Sequence, residues 1–256
     1  MTYCRPQVIV SEWLDMGMKL LKIDPLYEGV LLNRIGRFVV SVKMGNEIVL
    51  AHNTNTGRLL DILVPGRRVL LSRTESRIKY RLVGVEDVIR ECFNVVDVRT
   101  QARAFEESIK LGLLPYFREC YIVKRNPSVG RSRLDYLLRC GSSDVFVETK
   151  SAVMRGPRGE AMYPDCETSR GRRHIAVLAE LASSGIAAYL VFVSAVCSAK
   201  CFRPNEGGDK EIPRLLHEAM GRGVIVKSIS IYMNDSGEVF LSDPDVPLCL
   251  GDDLQL

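Results

Sequence analysis

The first part of the chain, to about residue 98, consists of short runs in which apolar and β-branched residues dominate or alternate with polar ones. These runs have the length of β-strands and cover six segments: residues 29–33, 37–44, 47–53, 69–72, 79–85 and 92–98. Gly45-Asn46 is a hairpin signal, and Val64-Pro65-Gly66 predicts a turn. Because no convincing helical pattern interrupts the series, the sequence predicts a small β-barrel, such as an OB-fold.

After this part the pattern alternates between helices and strands. Helices are predicted over residues 101–111, 170–184 and 210–220, and strands over 121–124, 133–139, 145–153, 187–195 and 224–232. The run at 187–195 is almost continuously apolar, as in a central strand covered on both faces. The order helix, three strands, helix, strand is typical of α/β restriction-endonuclease-like domains with a mixed sheet.

We therefore predict two domains, an OB-fold-like nucleic-acid-binding domain over residues 26–98 and a nuclease-like domain over 99–242. Residues 1–25 are poorly patterned and are interpreted as an N-terminal extension. Residues 243–256 are interpreted as an acidic C-terminal tail.

Composition narrows the class of protein. The chain has 256 residues, of which 46% are hydrophobic and 26% charged, as in ordinary globular proteins. No run approaches the ~20 apolar residues of a membrane span. The N-terminal residues lack the order of a secretory signal, so the expected location is cytoplasmic and no membrane partner is expected.

The net charge of +4 is unevenly distributed. Residues 58–81 contain seven Lys and Arg against two acids, whereas no Lys or Arg follows residue 233. The basic segment can attract a polyanion, although a solvated strand face explains it equally well.

The eight cysteines do not form a zinc motif, because no CxxC pair occurs and Cys197 and Cys201 have no His nearby. For a cytosolic protein they are expected to be mostly buried free thiols. Since disulfides do occur inside some hyperthermophiles, the pairing stays open.

One acid-rich pattern is typical of a metal site. Asp135 lies in an apolar run, a Gly-Ser-Ser turn follows, and a second run ends in Glu148-Thr-Lys150. This spacing suits two adjacent antiparallel strands, in which Glu148 and Lys150 share one face while Thr149 points away. Two carboxylates suit Mg²⁺ or Mn²⁺, and a nearby Lys can orient a water for phosphodiester hydrolysis. A strand-end Asp beside a surface Glu–Lys pair is the alternative interpretation.

A second unusual stretch, residues 163–174, brings acids, bases, a hydroxyl and an imidazole to a helix start. Thr168 or Ser169 can cap this helix, and Arg170, Arg173 and His174 are spaced to project from one face. The first turn of a helix usually favours acids, so arginines there favour an anion such as phosphate.

Four ordered blocks carry a resemblance to a known family. They are Asn33-Arg34-Ile-Gly-Arg37-Phe38, the segment 51–59 (AHNTNTGRL), Ser132-Arg133-Leu134-Asp135 with Val147-Glu148-Thr149-Lys150, and the segment 164–174 (PDCETSRGRRH). Over residues 26–241 the chain resembles the sugar fermentation stimulation protein family of bacteria and archaea. Thr149 stands where Val is usual and Arg173 where Lys is usual, and neither departure is expected to touch the carboxylates.

The resemblance implies an OB-like domain followed by a PD-(D/E)xK nuclease-like domain. It also implies DNA binding that is largely independent of sequence, and a link to the regulation of sugar utilisation genes. Membership of the family does not settle whether catalysis occurs.

The leading hypothesis is a DNA-binding, metal-dependent nuclease. Asp135 and Glu148 would hold Mg²⁺ or Mn²⁺, and Lys150 would position the water. Arg170 and His174 would hold the phosphate or complete the metal shell through water. Glu107 is preferred over Glu106 and Glu119 as a further acid, because it lies in a helix with a clear apolar face.

A larger set of polar and basic residues is expected to contact DNA. It consists of Arg37, His52, Asn55, Arg58, Arg67, Arg68, Arg73, Arg133 and Arg173. For His52, a hydrogen-bonded structural role is the competing interpretation.

Two other functions stay open. A non-cleaving regulator of sugar (maltose) metabolism would use the same fold to bind DNA, because the fold alone does not determine whether a protein is an enzyme. An RNA-processing nuclease is the weaker alternative, since OB-folds also bind RNA. Homo-oligomerisation is left open.

Overall fold

The computed structural model describes residues 17–250. Its first half is a closed five-stranded barrel, which confirms the predicted OB-fold. The barrel strands are β2 (Leu26–Gly36), β3 (Val39–Met44), β4 (Glu47–His52), β5 (Arg68–Arg73) and β6 (Tyr80–Glu86). Antiparallel pairs join β2 to β3, β3 to β4, β5 to β6 and β2 to β5. The parallel pair of β4 with β6, at Ala51 and His52, closes the barrel.

The barrel interior is apolar. Leu31, Val40, Ala51, Leu71 and Leu82 come from five different strands and are completely buried. Their burial provides the main driving force for barrel closure.

The second half contains a mixed sheet in the order β7-β17-β15-β12-β11-β8. Its strands are β7 (Cys92–Val95), β8 (Cys120–Arg125), β11 (Tyr136–Cys140), β12 (Ser143–Ala152), β15 (Ala187–Ser194) and β17 (Ile225–Asn234). β12, β15 and β17 are parallel, whereas β8 and β11 are antiparallel to their neighbours. As predicted, the apolar β15 lies between two parallel strands.

Short strands complete this half. They are β9 (Ser128–Val129) with β10 (Ser132–Arg133), and the group β13 (Met154–Arg155), β14 (Ala161–Tyr163) and β16 (Phe202–Pro204). A 3₁₀ turn, Pro115–Phe117, precedes β8.

Residues 17–250 contain three α-helices: α1 (Val98–Lys110) and α2 (Ser169–Ser183) pack against the sheet, and α3 (Glu211–Gly221) packs against α2. Asp97 caps α1 by accepting a hydrogen bond of 3.0 Å from the Thr100 amide. Helix α1 therefore begins three residues earlier than predicted. Thr168 caps α2, as predicted, and accepts from the Gly171 amide at 3.0 Å. No helix in the described part of the chain is long and apolar enough to cross a membrane.

The two ends of the described chain belong to the sheet and not to loose extensions. β1 (Met18–Lys22) pairs with β18 (Glu238–Asp243), which pairs with β17. Val246 is 1% exposed, and Cys249 lies in a disulfide. The expected extension and tail therefore include structured residues at their inner ends, whereas their outer residues lie outside the described range.

The halves share one hydrogen-bonded sheet, because β6 pairs with β7 and β7 pairs with β17. Across the same junction, the Val95 amide donates to the Ala195 carbonyl at 3.0 Å. The barrel is thus fastened to the α/β half through backbone hydrogen bonds.

The expectation of mostly free thiols is wrong for the described cysteines. Three disulfides form, Cys92–Cys197, Cys120–Cys140 and Cys201–Cys249, and Cys166 is free. The partners are 105, 20 and 48 residues apart, so sequence spacing did not reveal them.

Candidate active site

As predicted, Asp135 and Glu148 lie close together, at neighbouring interior strands of the mixed sheet. β11 and β12 are antiparallel with Tyr136 opposite Val147, so Asp135, just before β11, lies beside Glu148. Alternation along β12 directs Glu148 and Lys150 to the same face, and Lys150 Nζ contacts Glu148 Oε1.

Glu148 is the most enclosed acid of this site, with 2% of its surface exposed. Its Oε1 contacts both Lys150 Nζ and His174 Nδ1, whereas its Oε2 is buried and has no hydrogen-bond partner. Burial alone would raise the pKa of Glu148. The His174 hydrogen bond and the Lys150 charge outweigh burial and leave the pKa below its usual value.

Asp135 is fixed by Thr149. Its Oδ2 accepts from the Thr149 amide at 2.9 Å and from the Thr149 hydroxyl at 2.6 Å. The expectation that Thr149 does not touch the carboxylates is therefore wrong. Burial, with the Glu148 charge adding to it, raises the pKa of Asp135.

A cleft of about 350 Å³ lies between the two halves and includes these acids. The α/β half contributes Asp135, Glu148, Lys150 and Arg170, and the barrel half contributes Arg37 and the loop 54–57. Arg37 and Arg170 lie on opposite walls of the cleft, and the carboxylates lie between them. This arrangement suits a phosphodiester with a bound cation.

Close contacts hold the cleft walls together. Asp165 Oδ2 accepts from the Leu59 amide at 2.9 Å, and Asn55 Nδ2 donates to Ser151 Oγ at 3.2 Å. A Cβ on Gly57 would lie 2.3 Å from Asp165 Oδ2, so only glycine fits at this approach.

The residues predicted at the start of α2 separate in the structure. Arg170 is exposed and lines the cleft, whereas Arg173 is exposed but does not line it. His174 is 3% exposed, and its Nδ1 contacts Glu148 Oε1. The expected role of His174, to hold the phosphate or complete the metal shell through water, stays a prediction, and its contact with Glu148 suits the orientation of that carboxylate.

The structure does not bring Glu107 into the site. Glu107 forms an ion pair of 3.2 Å with Lys110, which is 73% exposed. Glu106, the alternative, lines a neighbouring cavity together with Asp135 and Lys150, where it pairs with Arg125 at 2.7 Å. Whether Glu106 or Glu107 faces the site depends on how helix α1 packs against the sheet, and not on where the helix begins.

The residues expected to contact DNA fall into three groups. Arg37, Arg58, Arg73, Arg133 and Arg173 are exposed. His52 and Asn55 are less exposed: His52 ends β4 with its ring 6.3 Å from that of Phe38, and Asn55 is 8% exposed and supports the loop by accepting from the Gly57 amide at 3.0 Å.

The remaining two arginines have protein partners. Arg68 pairs with Glu28 and Glu86 at 2.8 and 2.9 Å, so its charge is already neutralised. Arg67 donates to the Ile62 carbonyl at 3.5 Å. The basic segment is therefore less available to a polyanion than its composition indicates.

Two residues important to the site were not given a role by the sequence. Arg34 donates to the carbonyls of Arg37 and Gly57, at 2.9 and 2.8 Å, and so fixes the barrel wall of the cleft. Thr149 holds Asp135. The contacts of Arg34 with Gly57 and of Thr149 with Asp135 join residues 23 and 14 positions apart, and the only signal was their place inside the motif blocks.

Within residues 17–250, no group of three or more His, Cys, Asp or Glu side chains is arranged to hold a metal ion. The donor set of Asp135 and Glu148 nevertheless fits a hard cation, because Mg²⁺ is usually bound by one or two carboxylates and keeps several waters. The buried Glu148 Oε2, which has no hydrogen-bond partner, is a hard oxygen ligand of the kind that such a cation prefers.

The barrel and the mixed sheet define a two-domain class that joins an OB-fold to a restriction-endonuclease-like domain. Family models agree on both halves. The SfsA N-terminal OB domain matches residues 32–92, and the sugar fermentation stimulation protein RE domain matches residues 99–237. The chain belongs to the sugar fermentation stimulation protein family.

Similar proteins cover almost the whole chain. The sugar fermentation stimulation protein homolog of Pyrococcus furiosus is 43% identical, and the match covers 87% of this chain and 96% of that protein. The homolog of Archaeoglobus fulgidus is 36% identical, and the match covers 91% of this chain and 100% of that protein. A solved structure of Pyrococcus furiosus SfsA in complex with Ca²⁺ is 40% identical. It matches with a TM-score of 0.86 over 90% of this chain and 99% of that chain.

Proposed function

We propose that this protein is a Mg²⁺- or Mn²⁺-dependent nuclease that hydrolyses phosphodiester bonds in DNA. Asp135 and Glu148 hold the cation, and the cleft between the barrel and the α/β half receives the sugar–phosphate backbone. The similarity to a protein solved in complex with Ca²⁺ supports a site for a divalent cation with oxygen ligands.

The observation that carries the proposal is the environment of Glu148. A buried carboxylate oxygen without a partner is costly, so natural proteins rarely leave one unless it has a ligand. Lys150 and His174 both contact the other oxygen and leave Oε2 unpaired. Asp135 lies beside it, so a cation bound by both acids would satisfy this atom.

When bound, the cation would polarise the phosphoryl group and make a bound water more acidic. The residues of the chain have separate tasks. Lys150 orients the attacking water and stabilises charge that develops on the phosphoryl oxygens. Arg170, which is exposed at the cleft, holds a non-bridging oxygen. His174 keeps Glu148 in position.

The test measures Mn²⁺ binding and cleavage of DNA in the same preparations. Glu148→Gln should abolish Mn²⁺ binding in calorimetry and abolish cleavage of single-stranded, duplex and branched DNA. Glu107→Gln is the matched control, because Glu107 is paired on the surface away from the cleft. Binding by Glu148→Gln equal to that of the wild type would overturn the site assignment.

A second function is supported by Arg37 and Arg170 in the cleft, because arginines can hold phosphate without a cation. A DNA-binding regulator that does not cleave could use the same cleft for phosphate alone. Binding of DNA without cleavage of any DNA, or of matched RNA, would favour this function.

A further inference from the structure

The proposed site lies in the middle of a longer groove. A cavity of about 420 Å³ on the barrel side shares Arg37, Thr56, Gly57 and Cys166 with the central cleft. A third cavity of about 450 Å³ shares Asp135, Thr149, Lys150 and Ser151 with it on the opposite side. A nucleic-acid strand that crosses the site at Asp135 can therefore continue along the groove in both directions.

The ends of this groove are basic, whereas its centre is acidic. Arg58 and Arg37 line the barrel end, and both are exposed. Arg99 is exposed and lines the opposite end. This distribution complements a chain of phosphates that crosses a cation site, since the arginines contact the flanking phosphates.

An exposed aromatic ring adjoins Arg37 of the barrel end, although the ring itself lines none of the three cavities. Phe38 lies at the turn between β2 and β3 and is 44% exposed, although phenylalanine is normally buried. The Arg37 guanidinium is 5.5 Å from the centre of this ring, and the His52 ring is 6.3 Å away. An arginine next to a solvent-exposed aromatic ring is the combination that holds phosphate and base in proteins that bind single strands.

We propose that the groove is a binding track for single-stranded DNA, with an unpaired base stacked on Phe38 and flanking phosphates on Arg37, Arg58 and Arg99. Bases in a duplex are already stacked on one another and offer no free face to Phe38. The inference names the substrate of the proposed nuclease site and so rests on it, but the binding it describes requires neither metal nor cleavage.

The first experiment measures binding of the full-length protein to fluorescent oligonucleotides in EDTA. Phe38→Ala should bind oligo(dT) about 5- to 150-fold more weakly, which corresponds to the loss of one stacked base. An abasic oligonucleotide of the same length should bind to wild type and Phe38→Ala with equal affinity. Tyr121→Ala is the matched control, since Tyr121 is 61% exposed on the edge strand β8, whereas Phe38 contacts the groove residue Arg37.

Equal binding of oligo(dT) by wild type and Phe38→Ala would overturn the stacking site, as would a duplex that binds more tightly than the single strand. Both results are independent of whether the protein cleaves DNA. Failure of the metal site would appear only in the calorimetry and cleavage assays.

The second experiment tests the course of the strand. Arg58→Gln and Arg99→Gln should each reduce the slope of log affinity against log salt by about 0.7, the value for one phosphate of a single strand. Arg77→Gln is the control, because Arg77 is exposed in the same basic segment as Arg58 but lines none of these cavities. A change in slope for Arg77→Gln alone would place the strand on the outer barrel face and overturn the track.

Discussion

The two carboxylates of the site are held in different ways. Asp135 shares one oxygen between two donors of Thr149, whereas Glu148 shares one oxygen between Lys150 and His174. The second oxygen of each acid, Asp135 Oδ1 and Glu148 Oε2, is therefore not bonded to these donors. Because the supporting groups come from a strand and a helix, the orientation of both acids is set before any ligand binds.

Lys150 is expected to act on the rate of reaction and not on the binding of metal or DNA. Lys150→Ala should reduce the cleavage rate by about 10²–10³ because it removes charge stabilisation of the transition state. Mn²⁺ affinity and DNA affinity should change little, since the acids and arginines remain. Single-turnover kinetics and calorimetry on the same variant would check this, and cleavage near the wild-type rate would place the chemistry elsewhere.

Thr149 is expected to tune the metal site through Asp135. Thr149→Val keeps the amide bond to Asp135 but removes the hydroxyl bond of 2.6 Å. We expect Mn²⁺ binding to weaken by about 2- to 10-fold, the effect of one hydrogen bond of ordinary strength. Thr149→Ser retains a hydroxyl and should bind like the wild type, and calorimetry would separate the two variants. Unchanged affinity in Thr149→Val would show that the amide alone positions Asp135.

Among the elements, helix α2 connects the site to the protein core. Its first turn places Arg170 at the cleft and His174 beneath Glu148, while Ile175 and Leu178 are buried against the sheet. The position of these groups depends on where the helix begins, and Thr168 determines that point.

Thr168→Ala should destabilise the protein by about 1 kcal/mol, because it removes the hydroxyl that accepts from the Gly171 amide. Ser169→Ala, one residue later, lacks such a bond to lose and is the control. Chemical denaturation of the two variants would measure the difference. Equal unfolding free energies would contradict the capping role.

The elements also show what sequence can and cannot predict here. Strand alternation and the distance from Asp135 to Glu148 are local properties, so the antiparallel pair and the shared face of Glu148 and Lys150 followed from them. The choice of Glu107 over Glu106 depends on how α1 packs, which local periodicity does not resolve. The disulfides were missed for the same reason, since the residues of each pair meet only in the finished sheet.

At the scale of the whole molecule, the disulfides differ in how much chain they enclose. In the chain-entropy model, the Cys92–Cys197 bond, 105 residues apart, should contribute about 1.5 kcal/mol more than Cys120–Cys140, 20 residues apart. Double Cys→Ala variants of each pair, unfolded in denaturant without reductant, would give the two free energies. The opposite ranking would mean that native packing, and not loop closure, governs these bonds.

The pairing of β6 with β7, and of β7 with β17, has a consequence for how this protein meets a ligand. Two domains joined only by a linker can hinge, but a ladder of backbone hydrogen bonds would have to break for these halves to separate. We therefore expect the two walls of the cleft to keep the same spacing with and without a ligand. If the ligand is a nucleic acid, it must then change its own shape to fit the cleft. Selectivity would then reflect how easily a given stretch of DNA melts or bends.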